Sequence, residues 1–282
     1  MQANPDFITP HITDSRAIDY PCLKTGWVCE RELPQWDPIH IGKYAIDISP
    51  TKHVVMLWIA GALCLALMLI ATRAHKKATA TGEPAKGGLA NGLEAMVLYI
   101  RQEVILPNVG HHGNGYVPFL ITIFFFVLFA NLLGLIPYGS TATGNISVTA
   151  TLAIMAFITI ELAGIKALGP GYIKTIVYWP SDMPLWMKLF ISPILTPIEI
   201  LGKFTKPFAL AIRLFANMTA GHVVVLALIS LIFTFGSWFI AGVPVAMAVA
   251  IMILELFVAF LQAFVFTLLT SVFIGLVREG AH

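Results

Sequence analysis

The sequence has little charge and no obvious machinery for chemistry. Asp, Glu, Lys and Arg make up 11% of the 282 residues, whereas a soluble domain usually carries about 25%. The formal net charge of +2 is too small to indicate nucleic-acid binding. The sequence shows no Gly-rich phosphate loop and no Cys/His cluster with zinc spacing, so we expect neither a metal nor a cofactor. With 58% hydrophobic residues and a mean hydropathy of +0.84, the chain is typical of a polytopic membrane protein.

Cysteine is scarce, and a cleavable signal peptide is not indicated. Cys64 lies inside an apolar run, which predicts a packing role. Cys22 and Cys29 lie in a polar tail and could form a disulfide in an oxidising compartment, or remain free thiols. The N-terminus has no basic segment followed by a short apolar stretch, so we expect the first apolar span to act as the insertion signal.

Apolar runs long enough to cross a hydrocarbon core of about 30 Å recur along the chain. We predict an all-α polytopic membrane protein with five membrane-crossing helices and one amphipathic interfacial helix, preceded by a polar tail (1–50) of turns and irregular structure. In the membrane domain (51–282) the predicted helices are 53–73, the interfacial helix 87–107, 117–137, 146–166, 185–235 and 240–278.

The last two predicted helices are unusually long. At about 1.5 Å per residue they exceed the thickness of a bilayer, so we expect them to be strongly tilted, and they run antiparallel through the uncharged turn between them. The first of the two is interrupted by proline, at Pro193, Pro197 and Pro207. Basic residues cluster in 73–86, in 166–188 and at Arg278. The positive-inside rule then places the N-terminus outside and the C-terminus in the cytoplasm.

Arg213 is a fixed positive charge in a long apolar region. Between Pro207 and Val277 the only formal charges are Arg213 and Glu255. Arginine at the centre of a membrane helix costs about 2.5–3.5 kcal/mol on the mildest scale, and it does not escape this cost by losing its proton. We therefore expect Arg213 to act on another charge.

Other polar residues follow helical spacing around Arg213. Asn217 lies four residues after Arg213 and shares its face, whereas His222 points to another side. Glu255 and Gln262 share a face of the last helix, and Glu255 lies about as far from the turn as His222 does, which predicts a His222–Glu255 pair at one depth. Each polar residue could instead simply hydrogen-bond between helices. A further stripe of polar residues leads from Arg213 towards the basic end of the helix and consists of Glu199, Lys203 and Lys206. Interfacial snorkelling explains the two lysines of this stripe, and it also explains Glu161 and Lys166 near the end of the preceding span.

Several motifs together resemble one family. The segment from Leu210 to His222, which reads LAIRLFANMTAGH, resembles the signature helix of subunit a of the F-type ATP synthase. Leu261 to Phe266 (LQAFVF) is similar to the last helix of that family, and Asn131 to Pro137 (NLLGLIP) and Glu199 to Pro207 also fit. The resemblance extends from about residue 40 to the end of the chain.

The resemblance implies a non-catalytic stator subunit of the Fo proton channel in the bacterial inner membrane. It would stand beside a ring of c subunits, with the b-subunit peripheral stalk and the rest of the F1Fo complex as further partners. Arg213 would be the essential coupling charge between two offset half-channels. The periplasmic half-channel would be lined by Asn217, His222, Glu255, Gln262 and Asn131, and the cytoplasmic one by Glu199.

Two positions depart from the family pattern. Many bacterial members have Glu where this chain has His222 and His where it has Glu255, so the ends of the pair are exchanged. Gly134 replaces an Asp found in some relatives, which predicts different wetting at that point. Two rival functions have weaker support: a secondary transporter, for which the sequence lacks an inverted repeat, and a structural scaffold, for which Arg213 would serve no purpose.

Overall fold

The computed structural model describes most of the chain. The described residues are 13–21, 28–47, 49–81, 88–110, 113–136, 139–176, 184–235 and 241–279. Cys22 lies outside them and so does the side chain of Cys29, so the disulfide stays a prediction. Cys64 is buried and free.

The polar tail contains regular structure that the sequence reasoning did not predict. Strands β1 (Ala17–Pro21) and β2 (Val28–Glu32) pair antiparallel, as do β3 (Ile39–Ile41) and β4 (Tyr44–Ile46). The expectation of turns and irregular structure was therefore wrong for these segments. The strands are short and contain charged residues, which gives a weak period-two signal, and backbone pairing decides their structure.

Helices dominate the rest of the described chain. Their bounds are α1 Lys52–Thr81, α2 Gly88–Tyr99, α3 Val117–Gly134, α4 Ile146–Leu168, α5 Leu185–Phe235 and α6 Gly242–Glu279. The predicted interfacial helix corresponds to α2, which continues as a π-helix (Ile100–Ile105) and a final α-helical turn (Leu106–Val109). Short 3-10 turns occupy Gly113–Tyr116, Ala142–Gly144 and Gly169–Tyr172, and one further helical turn covers Ile173–Ile176.

Helix α5 continues through all three of its prolines. The expected interruption at Pro193, Pro197 and Pro207 was wrong, because helical geometry is kept from Leu185 to Phe235. Each proline still removes one backbone hydrogen bond from the helix. Membrane helices tolerate this loss where side chains or neighbouring helices satisfy the freed carbonyl groups.

Five helical segments within the described residues are long and apolar enough to cross a membrane. They are Lys52–Arg73, Gly113–Gly134, Ile146–Tyr172, Leu189–Ile232 and Gly242–Arg278. Their side chains include many exposed large hydrophobic residues, which a lipid environment explains. The prediction of an all-α polytopic membrane protein is confirmed.

The chain divides into two compact units, and each of the five membrane-crossing segments has residues in both. Unit 1 comprises 1–67, 125–148 and 214–262, and unit 2 comprises 68–124, 149–213 and 263–282. In unit 1, Ala60 of α1 packs against Ala130 and Leu133 of α3. In unit 2, Gly275 of α6 lies against the carbonyl oxygen of Asn108, and an added Cβ would overlap that oxygen.

Candidate functional site

Arg213 is presented outward on α5. Its side chain is exposed in the isolated chain, next to the exposed apolar residue Ile212. Among the described residues no carboxylate lies within ion-pair distance of its guanidinium. A charge on an apolar surface needs a partner to be tolerated in lipid, so the arrangement suits a partner carboxylate from another protein. Arg213 is also the last residue of the α5 segment that belongs to unit 2.

Asn217 and His222 lie in the α5 segment of unit 1. The side chain of Asn217 is exposed, as expected from its position one helical turn after Arg213. His222 is half-buried and lines a small cavity with Met218 and Thr219 of its own helix. The two residues therefore have different surroundings, as their helical spacing predicts.

Glu255 of α6 packs directly against α5. Its side chain is 8% exposed, and its carboxylate lies so close to Gly221 that an added Cβ would overlap Oε1. Gly221 immediately precedes His222. Glu255 and His222 are therefore at the same level of the two helices, which is the level that counting from the turn predicts.

Asn131 joins three elements of unit 1. It is fully buried, its Nδ2 donates to the carbonyl oxygen of Ala259 on α6 at 3.3 Å, and its Oδ1 accepts from Thr143 Oγ1 at 2.6 Å. Gln262, one helical turn after Ala259, is also buried, with 5% exposure. The five residues predicted for the periplasmic half-channel thus all belong to unit 1.

Gly134, at the position where the resemblance implies an Asp in some relatives, is tightly packed. An added Cβ would overlap the side chain of Thr141, so an aspartate would require the loop that contains Thr141 to move. The glycine is therefore matched to the local packing of α3 against this loop.

Glu199 lies in unit 2 at the wall of a second cavity. The cavity has a volume of about 140 Å3, and its polar lining consists of Glu161, Thr175, Glu199, Lys203 and Lys206. It is therefore large enough to hold several water molecules. Acidic and basic groups on the wall of a cavity of this size could exchange protons with water inside it.

A polar cluster beside this cavity was missed by the sequence reasoning, which attributed Glu161 and Lys203 to snorkelling. Tyr172 donates a hydrogen bond to Glu161. Lys203 Nζ lies 2.8 Å from the Tyr172 hydroxyl, 3.3 Å from Thr175 Oγ1 and 3.7 Å from Glu161 Oε2. Glu161 on α4 and Lys203 on α5 are far apart in the sequence, so the spacing of polar residues along one helix could not predict that they meet.

Comparisons with known proteins agree on one family. The family model described as ATP synthase A chain matches residues 54–275. ATP synthase subunit a 2 of Chlorobium luteolum is 45% identical over 281 residues, which cover 98% of this chain and 77% of that protein. ATP synthase subunit a of Chloroherpeton thalassium is 47% identical, over 94% of this chain and 74% of that protein. ATP synthase subunit a of Myxococcus xanthus is 47% identical, over 94% of this chain and 87% of that protein.

These matches decide against the transporter and scaffold alternatives. The matched region contains the motifs around Arg213, Asn131 and Gln262 on which the resemblance was based. The chain therefore belongs to the family of ATP synthase subunit a, a non-catalytic membrane subunit of the Fo part of the complex.

Proposed function

We propose that this chain is the stator subunit of a proton-driven rotary motor and that Arg213 couples proton flow to rotation of the c ring. The observation that carries the proposal is the exposed guanidinium of Arg213 on an apolar helix face, with no carboxylate partner among the described residues. A mid-membrane carboxylate on each c subunit would supply that partner. The peripheral-stalk b subunit and the rest of the complex would hold the chain in place.

Protons would reach the ring through unit 1. The periplasmic half-channel would be lined by Asn217, His222, Glu255, Gln262 and Asn131. The contact between the Glu255 carboxylate and Gly221, the residue before His222, supports a shared path for Glu255 and His222. A carboxyl group that has gained a proton is neutral and enters lipid, whereas the charged form does not. Protonation would therefore allow each ring site to leave the subunit and rotate through the bilayer.

Protons would leave through the cavity of unit 2. Arg213 would attract the returning carboxylate, lower its pKa and favour proton release. Glu199 would then accept the proton at the cavity wall and pass it to water. Arg213 would also block a direct leak, because a guanidinium does not give up its proton at physiological pH. Each charge that crosses 100 mV supplies about 2.3 kcal/mol.

The orientation follows from the distribution of charge. The described residues of unit 2 include Arg73, Arg101, Lys166, Lys203 and Arg278. The positive-inside rule then directs this end of the helices to the cytoplasm. The N-terminal tail, which belongs to unit 1, would face the periplasm of a bacterial inner membrane.

The proposal is tested in the purified complex reconstituted into liposomes. We expect Arg213→Ala to reduce ATP synthesis driven by a proton gradient to the background level, while the subunit still co-purifies with the c ring. Arg101→Ala is the matched control, because Arg101 is an exposed arginine of the π-helical segment after α2. Near-normal synthesis by the Arg213 variant would overturn the role given to this residue.

A further inference from the structure

The N-terminal tail is fastened to the beginning of α1 by a histidine and an aspartate. His53 Nδ1 lies 2.7 Å from Asp14 Oδ1, and the backbone N–H of His53 donates to the same oxygen at 3.4 Å. The backbone N–H of Lys52 donates to the carbonyl oxygen of Ser15, and Asn145 Nδ2 donates to Asp14 Oδ2 at 3.4 Å. Several independent contacts therefore fix the position of Asp14.

The other nitrogen of the same imidazole faces a buried hydroxyl. His53 Nε2 lies 3.2 Å from Ser140 Oγ, in the segment between α3 and α4. His53 is 2% exposed and Ser140 is 7% exposed, whereas the side chain of Asp14 retains 30% exposure. Asp14, His53 and Ser140 thus form a chain of polar groups that begins at solvent and ends in the interior of unit 1.

This chain ends at the cavity that also contains His222. The cavity is lined by His53, Ser140, Thr141, Gly144, Met218, Thr219 and His222. The space inside it that the centre of a water molecule can occupy is about 10 Å3. This is roughly the space that one water needs. A single water, or a small side-chain movement, would therefore connect Ser140 with His222.

We propose that Asp14, His53 and Ser140 form the outer part of the proton path, delivering protons from the periplasmic surface to His222. The inference rests on the proposed role of His222 in the periplasmic half-channel and adds residues that the family motifs do not include. It also gives the N-terminal tail a function, since the tail supplies the first group of the path.

Each step conserves protons and involves no redox change. A proton from water binds Asp14 and passes to Nδ1 of His53. The Nε2 proton of the same ring passes to Ser140 Oγ, and the hydroxyl proton of Ser140 passes to the cavity water or to His222. The neutral ring is then left with its proton on Nδ1, so it must reorient and present this N–H towards Ser140 before it carries another proton. Histidine is suited to this transfer because each of its two ring nitrogens can bind or release a proton.

The state of Asp14 fits the outer position. Burial is the largest single influence and raises the pKa of Asp14, but the hydrogen bonding and electrostatic attraction of His53 outweigh it, so the pKa lies below the usual value. Asp14 is therefore ionised at neutral pH, and its negative charge attracts protons and orients the imidazole.

The test measures passive proton conduction by Fo in membrane vesicles from which F1 has been removed, driven by a potassium diffusion potential. We expect His53→Ala to reduce conduction severalfold, with partial rescue by added imidazole. Ser140→Ala should reduce conduction, whereas Ser140→Thr, which keeps the hydroxyl group, should preserve it. The matched control is His40→Ala, because His40 is an exposed histidine of β3 in the same tail.

The outcomes separate this inference from the proposed function. If the His53 and Ser140 variants conduct like the parent while Arg213→Ala abolishes coupled ATP synthesis, the outer path is wrong and the role of Arg213 stands. Loss of conduction in His53→Ala without any rescue by imidazole would indicate a structural role and would also overturn the proposal. If His53→Ala fails to assemble, the comparison of Ser140→Ala with Ser140→Thr decides, and equal conduction by the two refutes the relay.

Discussion

The carboxylate of Glu255 lies against the backbone of Gly221, and no side chain fits between them. This contact brings α6 against α5 at the residue before His222. A glycine is needed there because an added Cβ would overlap Oε1 of Glu255. The close approach, and not the conformational freedom of glycine, explains the residue, since Gly221 lies within a continuous helix.

We expect Gly221→Ala to reduce ATP-driven proton pumping severalfold by displacing the Glu255 carboxylate. Alanine is favoured over glycine within helices by about 0.5–1 kcal/mol, so helix propensity predicts no harm. Gly202→Ala is the matched control, because Gly202 is also within α5 but has open space around its Cβ position. Equal pumping by the two variants would show that the contact with Glu255 is unimportant.

His222 and Glu255 provide a test by exchange. We expect His222→Ala and Glu255→Gln each to lower proton pumping, because in the proposed pair the two side chains share a proton and each change removes one of its two titratable groups. The double variant carrying His222→Glu and Glu255→His should pump better than either single variant, since the pair is restored with its ends reversed. A double variant that is no better than the single ones would argue against a working pair.

Glu161 and Lys203 provide a test of the cluster in unit 2. Their charged side chains are 21% and 13% exposed, so removing one leaves the other partly buried without its counter-ion. We expect Glu161→Gln and Lys203→Met each to lower the thermal stability of the purified complex, and the double variant to lose less than the sum. Lys166→Met, which alters an exposed lysine of α4, is the control. Strictly additive losses would contradict the coupling.

Buried Asn131 accepts a hydrogen bond from Thr143, so loss of the Thr143 hydroxyl should lower the stability of the protein. Replacement of Thr143 by valine keeps the shape but removes the donor to buried Asn131 Oδ1, which costs about 1–3 kcal/mol. We expect a lower melting temperature for the complex with Thr143→Val than for the parent. Thr122→Val is the control, because that hydroxyl is exposed and donates within its own helix, to the carbonyl oxygen of Pro118. Equal melting temperatures for the two variants would contradict the assigned hydrogen bond.

The attachment of the tail should depend on acid. Because the pKa of Asp14 is lower in the folded protein, its ionised form stabilises the contact with His53 above the unfolded-state pKa of about 4, and this stabilisation is lost as the pH falls through the lower folded-state value. Hydrogen exchange at residues 15–21 should therefore remain slow at about pH 5 and become faster below about pH 4. Asp14→Asn should exchange faster already at neutral pH. Unchanged protection at all pH values, after correction for intrinsic rates, would refute this.

The sequence by itself determined the membrane class, the helices and the position of the isolated charge. Runs of about 20 apolar residues have few structural alternatives, because lipid offers no hydrogen-bond partner to an open backbone. The cost of a charge in lipid likewise identified Arg213 as a candidate functional residue without any knowledge of its neighbours in space. Counting from the turn even placed His222 and Glu255 at one level, since the rise of a helix is nearly constant.

The tertiary structure alone decided which distant groups meet. The contact of Asp14 with His53 spans 39 residues of sequence, and that of Ser140 with His53 spans 87. The cluster of Glu161, Tyr172 and Lys203 likewise joins separate helices. Helical periodicity fixes the face on which a residue lies but not the partner that packs against it. The partner depends on how far each helix is shifted along its neighbour, and in unit 1 that shift is set by close contacts such as Gly221 with Glu255.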